Sequence, residues 1–299
     1  AEAFVPVSEV EAAGIYTVQR LDRAGWGLEG GLRYDRRSVT ATPLSGGSVI
    51  ERDFGNWSGS AAAFIKPSPS LFLGLSLAHN ERAPSEVELF ADGLHVATGV
   101  NETVTTIEGT VHYAAGRFSG DLHAYASTYD GFIDERDTGA VFIEGGESFP
   151  IFQFVQTGAD FRGFEAEGEY DLWSSGDRGL SLEGAVDFVR AETDLGPAAR
   201  IPPYSATARL AWTSTPFDAT LEVRRVGAQD RLADHELGTD GYTMVNLSGA
   251  WRPFADRAVT VFAEAHNLTD AEAREHVSFL KDLAPLPGRN FRAGISYRF

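Results

Sequence analysis

Three histidines stand in polar stretches with carboxylates close by. His95 follows Asp92, His235 lies between Asp234 and Glu236, and His276 follows Glu272 and Glu275. Neutral imidazole with carboxylate oxygen is a good ligand set for Zn²⁺. A site that must release its ion suits three or four such groups, so His95, Asp92, His235, His276 and Glu275 are the candidate metal ligands. The plainer reading of any one of them is a solvated loop histidine. The metal reading rests on three lying in stretches of one kind. His112 and His123 form a second pair, next to Thr110 and Asp121, and His266 stands two residues after Glu264. Enzyme motifs are absent: there is no G-x-S-x-G, no H-E-x-x-H, no phosphate-binding loop and no G-x-G-x-x-G. Glu165, Glu167 and Glu169 are better read as alternate residues of one polar wall than as an acid–base dyad. With no cysteine, thiolate sites and disulfides are excluded. The chemistry expected is binding of a cation, without catalysis and without a required cofactor.

The elements that must hold these residues are strands. Leu180, Leu182, Gly184, Val186 and Phe188 alternate with Ser181, Glu183, Ala185 and Asp187, and period two over nine residues means a strand. The pattern recurs in Trp26–Tyr34, Phe164–Leu172 and Phe217–Val223. It gives about 13 strands, centred near 12–21, 26–37, 55–65, 70–79, 103–114, 118–130, 153–172, 179–190, 204–213, 217–226, 242–251, 258–266 and 289–299. Many exceed the five or six residues of an ordinary strand and match the length that crosses a bilayer at a tilt. Connections alternate too. The short ones fall near 22–25, 67–69, 115–117, 174–178, 214–216 and 253–257. The long ones fall near 38–54, 80–102, 131–152, 191–203, 227–241 and 267–288. Short turns on one side and long loops on the other are the asymmetry of an outer-membrane barrel.

Composition fits this reading. The 299 residues carry 25 Lys+Arg against 43 Asp+Glu, a net charge of −18, which argues against a nucleic-acid partner. No apolar run reaches the length of about 18 residues that a transmembrane helix needs. One strand face is Leu, Val, Ala, Gly and Phe, with aromatics such as Trp26, Trp173, Trp212, Trp251 and Tyr297 near the ends, as at a membrane interface. The other face is charged and polar, as in a barrel lumen. The fold class expected is all-β, an antiparallel transmembrane β-barrel.

The last strand alternates Phe291, Ala293, Ile295, Tyr297 and Phe299 to a terminal aromatic. It resembles the assembly signal of Gram-negative outer-membrane proteins, with Tyr297 and Phe299 as its key residues. Asn80-Glu81-Arg82-Ala83-Pro84-Ser85-Glu86-Val87-Glu88-Leu89-Phe90 resembles the R-x-P-x-x-x-E-L-F element of TonB-dependent outer-membrane receptors. Asn267-Leu268-Thr269-Asp270, followed by a final strand, resembles their C-terminal box, and Leu32-Arg33-Tyr34-Asp35 another of their strands. Within that group, Gly93-Leu94-His95-Val96-Ala97-Thr98-Gly99 and the segment from Glu272 to Asn290 are similar to ZnuD-type zinc-uptake receptors.

The resemblance implies a 22-stranded barrel filled by an N-terminal plug. Residues 1–299 would supply roughly the last 13 strands, with the plug, the first strands and the TonB box absent. After Val100 such receptors carry a further Pro-containing stretch, whereas here Asn101-Glu102-Thr103 follows at once. The implied partners are the plug and remaining strands, a TonB-type energy transducer, the barrel assembly machinery and outer-membrane lipid. The implied location is the Gram-negative outer membrane, and the implied task is active uptake of a metal ion, zinc favoured, or of a small metal chelate. A ferric-siderophore or other organic-ligand receptor of the same fold is the alternative. A soluble all-β binding module and an outer-membrane barrel enzyme are remoter ones. His112, His123, His266 and Glu264 are expected to face the lumen.

Overall fold

The computed structural model describes residues 6–42, 48–90, 100–254 and 258–299. They form one antiparallel sheet of 14 strands. In chain order these are β1 (Ser8–Asp22), β2 (Trp26–Ala41), β3 (Ile50–Ser68), β4 (Leu71–Arg82), β5 (Glu102–Ala115), β6 (Phe118–Glu144), β7 (Glu147–Ser175), β8 (Arg178–Thr193), β9 (Gly196–Pro197), β10 (Ser205–Thr213), β11 (Phe217–Val226), β12 (Tyr242–Trp251), β13 (Val259–His266) and β14 (Asn290–Tyr297). One short helix, α1 (Glu86–Phe90), lies between β4 and β5. Each strand pairs with its chain neighbour, except that β9 is a two-residue spur on β8 and β10 pairs directly with β8. All the expected strands are present, and tight turns join the strands at one end while longer segments join them at the other.

One expected loop is a strand pair. Residues 131–152 read as a long connection, but β6 and β7 continue through them and meet at Gly145-Gly146. Both glycines have positive φ, 59° and 90°, the backbone a two-residue hairpin turn requires. The ladder slips between Tyr129 and Phe132 and again between Asp137 and Val141. Such bulges bend and twist a hairpin, and this one rises well past the strand ends on either side.

Register rows run obliquely across the wall. Ile65, near the short-turn end of β3, is joined through Leu73, Val111, Leu122, Ala166, Val186 and Ala206 to Arg225. Arg225 is one residue from the long-loop end of β11. This slant is the stagger that tilted barrel strands require.

The rows also sort the side chains. The row Thr110–His123–Glu165–Asp187–Ser205 is polar, and the row Leu182–Leu210–Leu221–Leu247 is apolar. Large apolar residues including Leu28, Leu32, Leu75, Ile107, Leu221 and Ile295 are exposed. Buried apolar residues gather instead at the long-loop rim, in one cluster of Val39, Ala41, Phe54, Ala83, Leu89 and Phe90 and another of Val226, Tyr242 and Ala273. A sheet with one continuous exposed apolar face requires a non-aqueous neighbour.

The first rim cluster is where the R-x-P-x-x-x-E-L-F element sits. Ser85 caps α1 by accepting the Glu88 N–H at 3.3 Å, and Glu88 Oε2 accepts the Ser85 N–H at 2.6 Å, a capping box. Arg82 donates to both Glu88 oxygens and both Glu102 oxygens at 2.8–3.1 Å. Arg37 donates to the Pro84 carbonyl at 3.1 Å and to Glu86 at 2.5 Å. The helix therefore delivers Leu89 and Phe90 into the rim cluster while its acidic residues are neutralised from two strands.

The two faces differ in what they tolerate. In the protein refolded into lipid vesicles, Leu221→Lys is expected to cost about 2–4 kcal/mol. Thr207→Lys, on the polar face, should cost well under about 1 kcal/mol. Urea titration of the folded fraction measures both, and equal costs would contradict the assignment of the lipid face.

Candidate functional site

The long-loop rim holds the sequence-selected histidines that the structure describes there. His95 and Asp92 lie outside the described residues. His276, expected to be an accessible loop ligand, is only 2 % exposed. Its Nδ1 is 3.1 Å from Thr239 Oγ1. Its Nε2 is 3.0 Å from Glu236 Oε1, but off the hydrogen-bonding direction, so that nitrogen lacks an aligned partner. Lys281 Nζ reaches the same Oε1 at 3.0 Å. Glu236 also accepts the backbone N–H groups of Arg200 at 3.0 Å and Ala233 at 3.2 Å. This buried junction joins the segments after β9, β11 and β13.

Its electrostatics follow from burial. Desolvation lowers the His276 pKa from its ordinary 6.5, and the nearby Lys281 ammonium lowers it further, against the opposing pull of Glu236. Desolvation alone would raise Glu236. The hydrogen bonds from Lys281, Ala233 and Arg200 together outweigh it and hold the carboxyl below its usual range. His276 is therefore neutral and Glu236 ionised at neutral pH. Lys281 already brings a cation to the oxygen that faces the imidazole, so a metal ion bound there would have to displace it.

The remaining candidates are dispersed. His235 has φ 59° and sends Nε2 to Asp137 Oδ2 at 2.6 Å, with its ring edge-on to Phe152, tying its loop to the β6–β7 hairpin. Glu275 accepts the Tyr242 hydroxyl at 3.2 Å and lies 3.8 Å from Arg224. On the polar face, His112 is 2.7 Å from Asp121. His123 is 3.3 Å from Thr110 and 3.5 Å from Glu108. His266 is 3.4 Å from Glu264, which also faces Arg292 at 3.9 Å. The Tyr297 and Phe299 rings lie 6.1 Å apart. Among the described residues, no three His, Asp or Glu converge as a metal site.

Two organising residues were not selected from the sequence as site residues. Lys281 lies within the Glu272–Asn290 segment, but its partner Glu236 is 45 positions away. Asn267 opens the Asn-Leu-Thr-Asp motif. It has φ 51° and is 2 % exposed. Its amide donates to the Ala271 and Pro287 carbonyls at 2.9 and 3.2 Å, and its side-chain oxygen accepts the Ala271 N–H at 2.9 Å. Its backbone N–H donates to Asn246 Oδ1 at 2.9 Å. Asn accepts the left-handed backbone more readily than most residues and has both donors and acceptor, which is the physical content of the Asn-Leu-Thr-Asp signal.

An open-faced antiparallel wall with short turns at one end and a packed loop rim at the other is the architecture of an outer-membrane β-barrel. Residues 2–268 match the family described as TonB dependent receptor-like, beta-barrel, and the chain belongs to that family. Among solved structures, it is similar to the copper transporter OprC, with a TM-score of 0.82 and 21 % identity over 98 % of this chain and 49 % of that one. It is similar to the FrpB iron transporter from Neisseria meningitidis, with a TM-score of 0.76 and 17 % identity over 98 % of this chain and 46 % of that one. It is also similar to the ferric yersiniabactin uptake receptor FyuA from Yersinia pestis, with a TM-score of 0.70 and 15 % identity over 96 % and 45 %. The chain thus spans about half the length of the solved structures it matches. These likenesses show the fold; family membership sets aside the soluble-module and barrel-enzyme readings.

The junction predicts a pH dependence. A folded-state His276 pKa below 6.5 means that the unfolded loop binds the proton more readily, so stability is full above 6.5 and falls as pH drops below it. Glu236, also lowered, loses its contribution at still lower pH. Hydrogen exchange in 227–241 and 267–289 should accelerate below pH 6.5 beyond the intrinsic rate, and His276→Gln should remove that step. Asn267→Ala should raise local opening of 267–289 at least about tenfold, since several buried polar groups lose partners.

Proposed function

We propose that the chain is the C-terminal barrel portion of a TonB-dependent receptor that takes up a metal ion, zinc favoured, or a small metal chelate. The observation that carries this is the acidic inner wall. Glu165, Glu167, Glu169, Glu183, Asp187, Glu222 and Glu264 share the polar face, while Arg209 sits between Glu183 and Glu222, at 3.9 and 2.6 Å. A lumen wall on which carboxylates outnumber arginines concentrates cations and disfavours anionic cargo. The similar solved structures are named for copper, iron and ferric chelates, which supports metal cargo without choosing zinc.

In this reading, His95, Asp92 and His235 are the capture ligands, and His276 and Glu275 brace the rim beside the segment that carries His235. The path β1 to β14 has thirteen members, so β1 and β14 run the same way and their outer edges are unpaired among the described residues. Antiparallel closure in lipid then requires an odd number of further strands. Those strands and a plug are the proposed partners, with a TonB-type transducer acting on the plug. Tyr297 and Phe299 present the closing strand to the assembly machinery.

Radiolabelled Zn²⁺ uptake in metal-limited cells tests the assignment. The full-length His95→Ala/His235→Ala variant should lose most uptake at unchanged surface level. Adding His276→Ala should also loosen the rim. Wild-type zinc uptake in the triple variant would sink the ligand assignment. A ferric-siderophore receptor is the second reading, supported by the exposed Phe142 and Phe149 on the β6–β7 hairpin. Uptake of an iron chelate with no zinc uptake would select it.

A further inference from the structure

Arg162 on β7 and Arg190 on β8 are direct cross-strand partners. They share the parity of Phe164, Ala166, Val186 and Phe188, so both belong to the lipid-facing surface. Like charges directly opposite on neighbouring strands destabilise the pair. Arg162 has no hydrogen bond or ion pair among the described residues, and Arg190 has only a 3.7 Å approach to Glu192. Glu192 is itself held by Arg231. Further round the wall, outward Arg225 has Thr243 as its side-chain partner, at 3.2 Å. On the next outward row toward the rim Asp160 faces Glu192; Asp160 accepts from Thr128 and Glu192 pairs with Arg231, so both carboxylates are already engaged while the arginine row is not.

Directly below the pair, one outward step toward the short-turn end, Phe164 and Phe188 stack at 5.8 Å. Arg162 and Arg190 are therefore the first charged outward row above the apolar band, at the long-loop end. A free anion would neutralise the arginines but leave the rings unused. A ligand that meets both has a phosphate next to an acyl chain, and two guanidinium forks are well suited to phosphate oxygens. We propose that Arg162 and Arg190 bind the phosphorylated headgroup of an outer-leaflet lipid, whose acyl chain lies against Phe164 and Phe188. This rests on the outward face meeting lipid and not on the cargo, so failure of zinc uptake would leave it standing.

The test is native mass spectrometry of the full-length receptor extracted from outer membranes. The probes are a phosphorylated glycolipid, the same lipid stripped of phosphate, and inorganic phosphate. Wild type should retain the phosphorylated lipid about tenfold better than the stripped one, the difference expected for a charge-assisted contact. Arg162→Gln/Arg190→Gln should lose that preference, Arg162→Lys/Arg190→Lys should keep part of it, and millimolar inorganic phosphate should not displace the lipid. Equal retention of both lipids by wild type would overturn the proposal whatever the variants do. So would an unchanged preference in a Gln variant that keeps folded-barrel migration before heating, or displacement by inorganic phosphate.

Discussion

Every peptide group that enters hydrocarbon must find its hydrogen-bond partner within the protein, because no water is available to supply one. The rest of this structure depends on that constraint. It makes the sheet antiparallel and continuous, with each strand laddered to its neighbour in the chain. It also removes the usual reason for a hydrophobic core. Along the strand centres the apolar side chains turn outward to lipid and the charged ones line the interior, with charge on the outward face appearing toward the rim. Buried apolar clusters form at the rim, where loops must pack against one another in contact with water.

The rim solves a different problem from the wall. Its segments are irregular, and irregular backbone has to be satisfied residue by residue. Glu88 and Glu102 beside Arg82, Asn267, and Glu236 beside His276 and Lys281 do this at three places, accepting the N–H groups of Ser85 and Ile133, of Ala271, and of Arg200 and Ala233. A loop set tied by such contacts is held in one arrangement by few groups. It can therefore be released by few changes, whether a proton on His276 or a competing cation at Glu236. His235 stands on this frame, exposed and tied to Asp137.

The wall was legible in the sequence because its information is local. Alternation along Leu180–Phe188 fixes a strand and its face without reference to any distant residue. The short turns and long connections follow from Pro, Gly and Asp clusters between such runs. The upper β6–β7 hairpin escaped because its bulges break the alternation after Tyr129, although Gly145-Gly146 was there to be read as a turn. The rim sites were less legible still. His235 meets Asp137 across 98 positions and Lys281 meets Glu236 across 45. No spacing rule connects such pairs, so histidines that look alike in sequence divide into one buried brace and one exposed tie.

The slanted rows have a mechanical meaning. Because a row that begins near one end of β3 finishes near the opposite end of β11, hydrogen bonds wrap the wall like the turns of a hoop wound on a bias. Widening the barrel, or sliding one strand along the next, would break a whole ladder at once rather than one bond at a time. The wall is thus a stiff girdle that can withstand traction on whatever it encloses, and compliance is left to the loops at its mouth.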